Sequence, residues 1–291
     1  MTDTAREIAS QPETWAKALT VDGGALAARG ERVLVLGCGT SWFMAQSLAE
    51  LRESNGFGET DAVCASEFVP RRRYDRVIAL TRSGTSTEVL EALRRLPEGT
   101  HRVAVTAVDG EPVDDLVDER ILLDFADERS VVQTRFPTTL LTVARSAYGE
   151  DLSHVVPDGE AAIRADLPAD VSTVEHLVFL GTGWTVGLAH EAALKVREAA
   201  QAWSESYPAM DYRHGPVAVA GAKSLVWAFG AVPGSLDETI RGAGAEPVRN
   251  GFDPLAQLVL AQRFAVALAE HKGLDPDRPR LLTRSVILSQ P

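Results

Sequence analysis

The sequence predicts an α/β protein built on parallel sheets, with one unit occurring twice. Two observations carry this. Short apolar runs that end in glycine alternate with stretches of helical periodicity, the signature of strands joined by crossover helices. In addition, Glu175-His-Leu-Val-Phe-Leu-Gly181 repeats Glu31-Arg-Val-Leu-Val-Leu-Gly37 almost position for position, 144 residues later. Each run continues as Gly-x-Gly and then into a helix, so each half is expected to present a loop at the carboxyl end of its first strand.

The elements follow in order. Residues 4–26 read as helix broken near Pro12, which cannot donate a backbone hydrogen bond. Residues 32–37 are a buried parallel strand, because the run is apolar at every position rather than at alternate ones. Helix is expected over 41–51, 86–96 and 136–148. Strands are expected over 62–66, 76–81, 102–108 and 120–123. Residues 149–174 are acidic and carry Pro157 and Pro168, which marks a connection holding one short helix. The second half has fewer strands, 175–181, 224–229 and 246–249, before a long helix over 254–271. The tail from 273 to 291 is too polar and irregular for continuous helix. The division is therefore placed at 150, with units 1–150 and 151–291.

Bulk properties narrow the function. The chain has 291 residues and a net charge of −12, which argues against a nucleic-acid partner. A single small site can still hold an anion on an acidic protein. Two cysteines, Cys38 and Cys64, make neither a disulfide framework nor a metal cluster, and no metal or cofactor is expected. The N-terminus lacks a basic-then-apolar signal pattern, and no apolar run approaches the length of a membrane span. A cytoplasmic protein without a membrane partner is the expectation.

Three strand-to-helix turns are rich in glycine or hydroxyls. Gly37-Cys38-Gly39-Thr40-Ser41 lets the backbone approach a ligand at a helix N-terminus. A dinucleotide fingerprint would require a third glycine, and Trp42 occupies its position; Glu67, after the second strand, does not restore it. Thr81-Arg82-Ser83-Gly84-Thr85-Ser86-Thr87 combines hydroxyls with free backbone amides, a phosphate cradle that needs no lysine. Helix capping by Thr85 or Ser86 accounts for one hydroxyl but not for five. Ser130-Val-Val-Gln-Thr-Arg-Phe136, with Pro137, Thr138 and Thr139, is a third such turn, which by itself reads as capping. On the first helix of the second half, Glu191, Lys195 and Glu198 share one face, which Gln201 and Glu205 are expected to extend. This is either a solvated ion-paired stripe or part of a site. The helix follows a glycine loop, and His214 sits soon after it in a Gly-Pro turn, which favours a site with an acid–base partner.

Together these motifs resemble the double-domain form of the SIS (sugar isomerase) family, including the isomerase half of glucosamine-6-phosphate synthase and the galactosamine-6-phosphate deaminase and ketose–aldose isomerase group. Cys38-Gly-Thr-Ser41 is similar to the family's Cys-Gly-Thr-Ser loop, and Arg82-Ser-Gly-Thr-Ser86 to its Gln/Arg-Ser-Gly-Glu/Asn-Thr/Ser loop. Ser130-Val-Val-Gln-Thr-Arg-Phe resembles Ser-Val-Ala-Ser-Thr-Lys-Phe. Glu191-Ala-Ala-Leu-Lys-Val-Arg-Glu198, Arg213-His-Gly-Pro216 and Asp277-Arg-Pro-Arg-Leu-Leu-Thr-Arg-Ser-Val286 resemble Glu-Gly-Ala-Leu-Lys-Leu-Lys-Glu, Lys/Arg-His-Gly-Pro and the family's Asp-Gln-Pro-Arg-Asn-Leu-Ala-Lys-Ser-Val tail. Arg6-Glu-Ile-Ala-Ser-Gln-Pro12 is similar to its opening helix.

The resemblance implies two tandem SIS domains, each a flavodoxin-like αβα sandwich, the second shortened. It implies a hexose or hexosamine 6-phosphate ligand held by Cys38, Gly39, Thr40, Ser41, Thr81, Arg82, Ser83, Ser86 and Ser130. Glu198 would move a proton between C1 and C2. Lys195 and Arg284 would lie near the reacting oxygens, and His214 would assist ring opening from the neighbouring subunit of a homodimer. Aldose–ketose isomerisation or deamination of an aminosugar phosphate follows; a non-catalytic sugar-phosphate sensor is the alternative. Arg284 stands where the synthase has lysine; it can bind an oxyanion but not form a Schiff base. Thr85 replaces Glu or Asn. No glutaminase domain is expected with these two units, so ammonia would come from solution or a partner.

Overall fold

The computed structural model describes residues 1–288; residues 289–291 of the expected irregular tail lie outside it. Nine parallel-paired strands form two sheets. Strands β1 (Val33–Gly37), β2 (Thr60–Cys64), β3 (Arg76–Leu80), β4 (His101–Thr106) and β5 (Glu119–Leu122) make a five-stranded sheet in the order β2-β1-β3-β4-β5. Strands β6 (His176–Gly181), β7 (Ser204–Pro208), β8 (Ser224–Ala228) and β9 (Glu246–Val248) make a four-stranded sheet in the order β7-β6-β8-β9. In both, the first strand is central and the chain reverses direction beside it, which is where open parallel sheets place ligands.

The helices are α1 (Asp3–Ala9), α2 (Gln11–Ala18), α3 (Thr40–Ser54), α4 (Thr87–Arg94), α5 (Arg135–Ala147), α6 (Val155–Arg164), α7 (Thr185–Ala200), α8 (Gly234–Gly242) and α9 (Pro254–His271). Strand alternation assigns them to layers. Val33 and Val35 of β1 and Leu177 and Phe179 of β6 share one core with α3, α5, α7 and α9. Leu34 and Leu36 face the other way, onto α4. Val178 and Leu180 pack against Leu236 and Ile240 of α8. A shared helical layer therefore lies between the two sheets, with one helix on each outer face.

Most expected elements are present within a few residues, and α9 spans the expected range. The opening helix breaks at Ser10, and Pro12 lies in the first turn of α2, where its missing N–H costs nothing. Strand β7 and helix α8 were not expected: β7 reads Ser-Glu-Ser-Tyr-Pro, a polar sheet-edge strand without an apolar run. The expected continuation of the α7 stripe is corrected. The helix ends at Ala200, Gln201 takes a left-handed conformation (φ 47°), and Glu205 belongs to β7, where it accepts from His176 Nε2 at 3.2 Å.

The two glycine loops return a helix tightly onto its strand. A Cβ on Gly37 would lie 2.4 Å from the Ser41 carbonyl carbon, and one on Gly181 2.3 Å from the Thr185 carbonyl oxygen. Helices α3 and α7 also approach each other closely: a Cβ on Gly187 would sit 2.2 Å from Ser47 Oγ and 2.3 Å from the Phe43 carbonyl oxygen. Ser47 Oγ in turn donates to the Trp184 carbonyl at 2.8 Å. Gly187→Ala is therefore expected to push α3 and α7 apart and cost about 1–3 kcal/mol, read as a lower urea midpoint at an unchanged denaturant slope.

Candidate functional site

The carboxyl ends of β1 and β3 meet at the reversal point of the first sheet. Between them lies a cavity of about 30 Å³ walled by Cys38, Ser41, Thr81, Ser83, Ser86 and Gln133, with Arg82 and Arg284 contributing. The Ser41, Thr81 and Ser86 hydroxyls make no hydrogen bond among the described residues, whereas that of Ser83 is engaged by Thr85 and Ser285. Ser86 occupies the N-cap position of α4 but makes no side-chain cap bond, and Gly39 at the start of α3 has no side chain to cap with. The capping interpretation of the Thr81–Thr87 turn is therefore not realised at Ser86; the Thr87 amide of α4 is taken by the Val286 carbonyl, and the Ser41 and Trp42 amides of α3 turn back onto the Cys38 and Gly39 carbonyls. Three buried polar atoms of its wall, Thr81 Oγ1, Arg82 Nε and Gln133 Oε1, have no hydrogen-bond partner among the described residues. Buried polar groups are normally paired, so their convergence marks a place for a polar ligand.

Cys38, on the same wall, is held as a thiol: burial first, then the neighbouring Cys64 and Glu88, push its pKa up to about 12. Arg82 is buried. It donates from Nη1 to the Ser130 carbonyl at 3.1 Å and from Nη2 to the Arg284 carbonyl at 2.9 Å, with Glu128 Oε2 at 3.7 Å. Burial lowers its pKa, and Glu128 opposes that shift.

The third hydroxyl turn is organised by two buried carboxylates. Glu7 accepts from the Arg129 backbone at 2.6 Å and from the Ser130 hydroxyl, whose oxygen also lies 2.8 Å from the Val132 carbonyl oxygen. Burial raises the Glu7 pKa, and the Ser130 hydrogen bond counteracts it. Glu128 accepts from the backbone of Thr134 at 2.5 Å, of Arg135 at 2.9 Å and of Phe136 at 3.4 Å. The N-terminus of α5 is thus filled by a carboxylate of its own chain, and the Ser130 hydroxyl is engaged with protein groups.

The chain end crosses the mouth of the cavity. Ser285 Oγ lies 3.2 Å from Ser83 Oγ and 2.8 Å from Thr85 Oγ1, and the Thr87 amide donates to the Val286 carbonyl at 3.2 Å. Arg284 donates from Nε to the Glu128 carbonyl at 3.1 Å and pairs with Asp127. Sequence reading placed Arg284 near the site but did not identify Ser285 or Gln133 as neighbours of the hydroxyl loop. Their signal was only their position within two motifs otherwise matched.

A second cluster lies on α7. Lys195 Nζ is 3.2 Å from Glu191 Oε1, 2.6 Å from Glu198 Oε2 and 3.1 Å from Thr40 Oγ1. The Thr40 hydroxyl accepts from Lys195 and donates to Glu191 Oε1 at 3.2 Å. Glu191 and Lys195 are sealed from solvent, whereas the Glu198 side chain keeps 18% exposure. Burial raises the Glu191 pKa to about 7, against the pull of Lys195. Burial would depress Lys195, but Glu191 and Glu198 outweigh it and the pKa is raised. The solvated-stripe interpretation therefore fails for Glu191 and Lys195. Thr40 and Ser41 are adjacent, so the start of α3 touches this cluster with one residue and the hydroxyl cavity with the next.

His214 stands apart. It ends a short turn, Asp211–His214, is exposed, and makes no hydrogen bond or ion pair with Glu198 or Lys195 among the described residues. Three larger cavities, of about 430, 580 and 300 Å³, lie against α1, α6 and α9, beside the edge strand β2, and beside β5. None contains one of the expected site residues, and the convergence of unpaired groups favours the small one.

No protein-family model matches the chain. Among curated proteins it is similar to the isomerizing glutamine–fructose-6-phosphate aminotransferases of Nostoc sp. and Pyrobaculum aerophilum. Each is 27% identical, over 88% and 97% of this chain but 52% and 56% of theirs. The chain thus spans about half the length of these relatives. Among solved structures, glucosamine-6-phosphate deaminase from Thermotoga maritima superposes with a TM-score of 0.85 at 25% identity, covering 99% of this chain and 100% of that one. Tagatose-6-phosphate ketose/aldose isomerase from Escherichia coli gives 0.76 at 21% identity, covering 97% of each chain, a likeness of fold alone. The resemblance carried by the motifs is upheld: the homologues are glutamine–fructose-6-phosphate aminotransferases, and the structural neighbours are phosphosugar isomerases and a deaminase.

The raised pKa of Glu191 has a signed consequence. A carboxyl that binds its proton more tightly when folded adds stability that is fully present below its ordinary value of 4.5 and lost as pH rises through about 7. Glu191→Gln removes that titration, so the variant's stability is expected to fall less than wild type between those pH values, measured by urea unfolding at each pH.

Proposed function

We propose that this chain binds a hexose or hexosamine 6-phosphate and catalyses a proton transfer between C1 and C2, interconverting aldose and ketose. The observation that carries the reading is the shared start of α3, where Ser41 faces the hydroxyl cavity and Thr40 holds the buried Glu191–Lys195 pair. A phosphate anchored by Thr81, Ser83 and Ser86, with amides of the Cys38–Ser41 loop, would extend its sugar toward α7.

An aldose–ketose shift passes through an enediol. It needs a carboxylate to carry the proton and a cation or donor for the developing oxyanion. Glu198 suits the first role, since it is the partly exposed member of the triad. Lys195, held charged by two carboxylates, suits the second. Glu191 balances the buried ammonium. Arg284 supplies a guanidinium at the cavity mouth and no Schiff-base chemistry. His214, exposed on its turn, would serve ring opening in a second copy's site, which makes the working unit a homodimer. Deamination of a hexosamine 6-phosphate uses the same proton transfer to give an imine at C2, to which water adds as ammonia leaves, so that a C2 ketone replaces the C2–N bond.

One observation favours a sensor without turnover: the Arg284 guanidinium is already engaged by Asp127 and the Glu128 carbonyl. A panel of hexose and hexosamine 6-phosphates, assayed for ketose formation and ammonia release, separates the readings. Glu198→Gln is expected to reduce turnover by roughly 10²–10⁴-fold while ligand binding, measured by calorimetry, persists. Binding without turnover across the panel selects the sensor, and no binding of any member rejects both.

A further inference from the structure

Gln133 is the least explained member of the cavity wall. The loop that carries it is pinned on both sides, by Glu7 at Arg129 and Ser130 and by Glu128 at Thr134 and Arg135. The segment between is held rigidly, and it places Gln133 on the wall opposite the Thr81–Ser86 loop. Its side chain makes no hydrogen bond among the described residues, and Oε1 is fully buried. It is also a departure in the Ser130–Phe136 motif, where the resemblance predicts serine. Two other departures, Thr85 and Arg284, lie at the same cavity: Thr85 bonds the Ser285 hydroxyl that crosses the mouth, and Arg284 lines the wall.

The chemistry of the unpaired atoms decides what Gln133 can recognise. A phosphate dianion accepts hydrogen bonds. The Thr81 hydroxyl, the Arg82 Nε–H and the backbone amides can donate to it, but an amide carbonyl cannot. A primary amide is a donor and an acceptor side by side, and its best complement is a hydroxyl, which also does both. The cavity, about 30 Å³, is no larger than a single phosphoryl or hydroxyl group requires. A hydroxyl reached there must lie close to the phosphoester, and in a hexose 6-phosphate the nearest is the oxygen on C5, three bonds from the ester oxygen. In an aldopyranose or a ketofuranose that oxygen is locked in the ring as an ether and has no hydrogen to donate. In the open chain it is a free hydroxyl.

We propose that Gln133 is a specificity-determining residue that binds the C5 hydroxyl of the ring-opened sugar phosphate, so that this site selects the open-chain form in which the proton transfer occurs. The proposal rests on the sugar-phosphate reading above and adds a residue and a ligand form to it. No bond is made or broken at Gln133; it shifts the ring–chain equilibrium of bound ligand by differential affinity alone.

The test uses the full chain and two inhibitors configured like the best-binding member of the panel: the hexitol 6-phosphate, an open chain with a free C5 hydroxyl, and the 1,5-anhydrohexitol 6-phosphate, whose C5 oxygen is locked. Wild type is expected to bind the open-chain compound more tightly by roughly tenfold, the worth of one good hydrogen bond. Gln133→Ala is expected to remove that preference while affinity for the anhydro compound and for inorganic phosphate stays within about twofold. Gln133→Asn, which keeps the amide one methylene short, guards against a folding artefact and is expected to fall between. Equal loss for both inhibitors and for phosphate would make Gln133 a phosphate ligand and overturn the proposal. An unchanged preference in Gln133→Ala would overturn it as well, leaving the functional reading intact. Failure of wild type to bind any sugar phosphate would reject both.

Discussion

A buried lysine held between two carboxylates and a threonine hydroxyl is the constraint around which this molecule is arranged. Removing charges from water costs several kcal/mol per ion, recovered only when geometry and hydrogen bonding are close to complete. Lys195 meets that condition with three oxygen partners, two from its own helix and one from Thr40 on α3. The third of these contacts requires that α7 lie against the start of α3. Gly187, with no side chain to hold the helices apart, makes that approach possible. Packing in the shared helical layer and charge neutralisation at the site are therefore one requirement.

The acidic balance of the chain poses a second problem, because the proposed site for an anion must be assembled among many carboxylates. Two of them are used as internal anions. Glu128 fills the N-terminus of α5, and Glu7 holds the Ser130 turn. Their charge is spent on backbone amides, hydroxyls and the buried Arg82. The starts of α3 and α4, neither capped by a side chain, meet at the reversal point of the first sheet. Of the three turns, two bring the Ser41, Thr81 and Ser86 hydroxyls to the cavity without a hydrogen bond among the described residues, and the Ser130 hydroxyl of the third is engaged by the protein.

The chain end adds a further layer. Ser285 bonds hydroxyls of the Thr81–Thr87 loop, and Arg284 spans from the cavity mouth to Asp127. In the sequence this stretch is polar and without periodicity. Its order comes from hydrogen bonds to a loop some 200 residues earlier, which no local pattern reports.

What the sequence by itself determined is the parallel α/β class, the repeated strand–glycine–helix unit, the hydroxyl loop after β3 and the spacing of Glu191, Lys195 and Glu198. Apolar periodicity and backbone freedom at glycine are local properties, and they leave local marks. The tertiary structure decided the rest. It showed that the Glu191–Lys195 stripe is buried rather than solvated, because burial depends on what another helix brings against it. It ended α7 at Ala200 and turned Glu205 into a polar edge strand, where no apolar run could announce it. It spent Ser130 on Glu7, brought Gln133 and Ser285 to the cavity, and left His214 on an exposed turn. Each of these is set by partners distant in the chain, and partner choice is a property of packing that residue type alone does not encode.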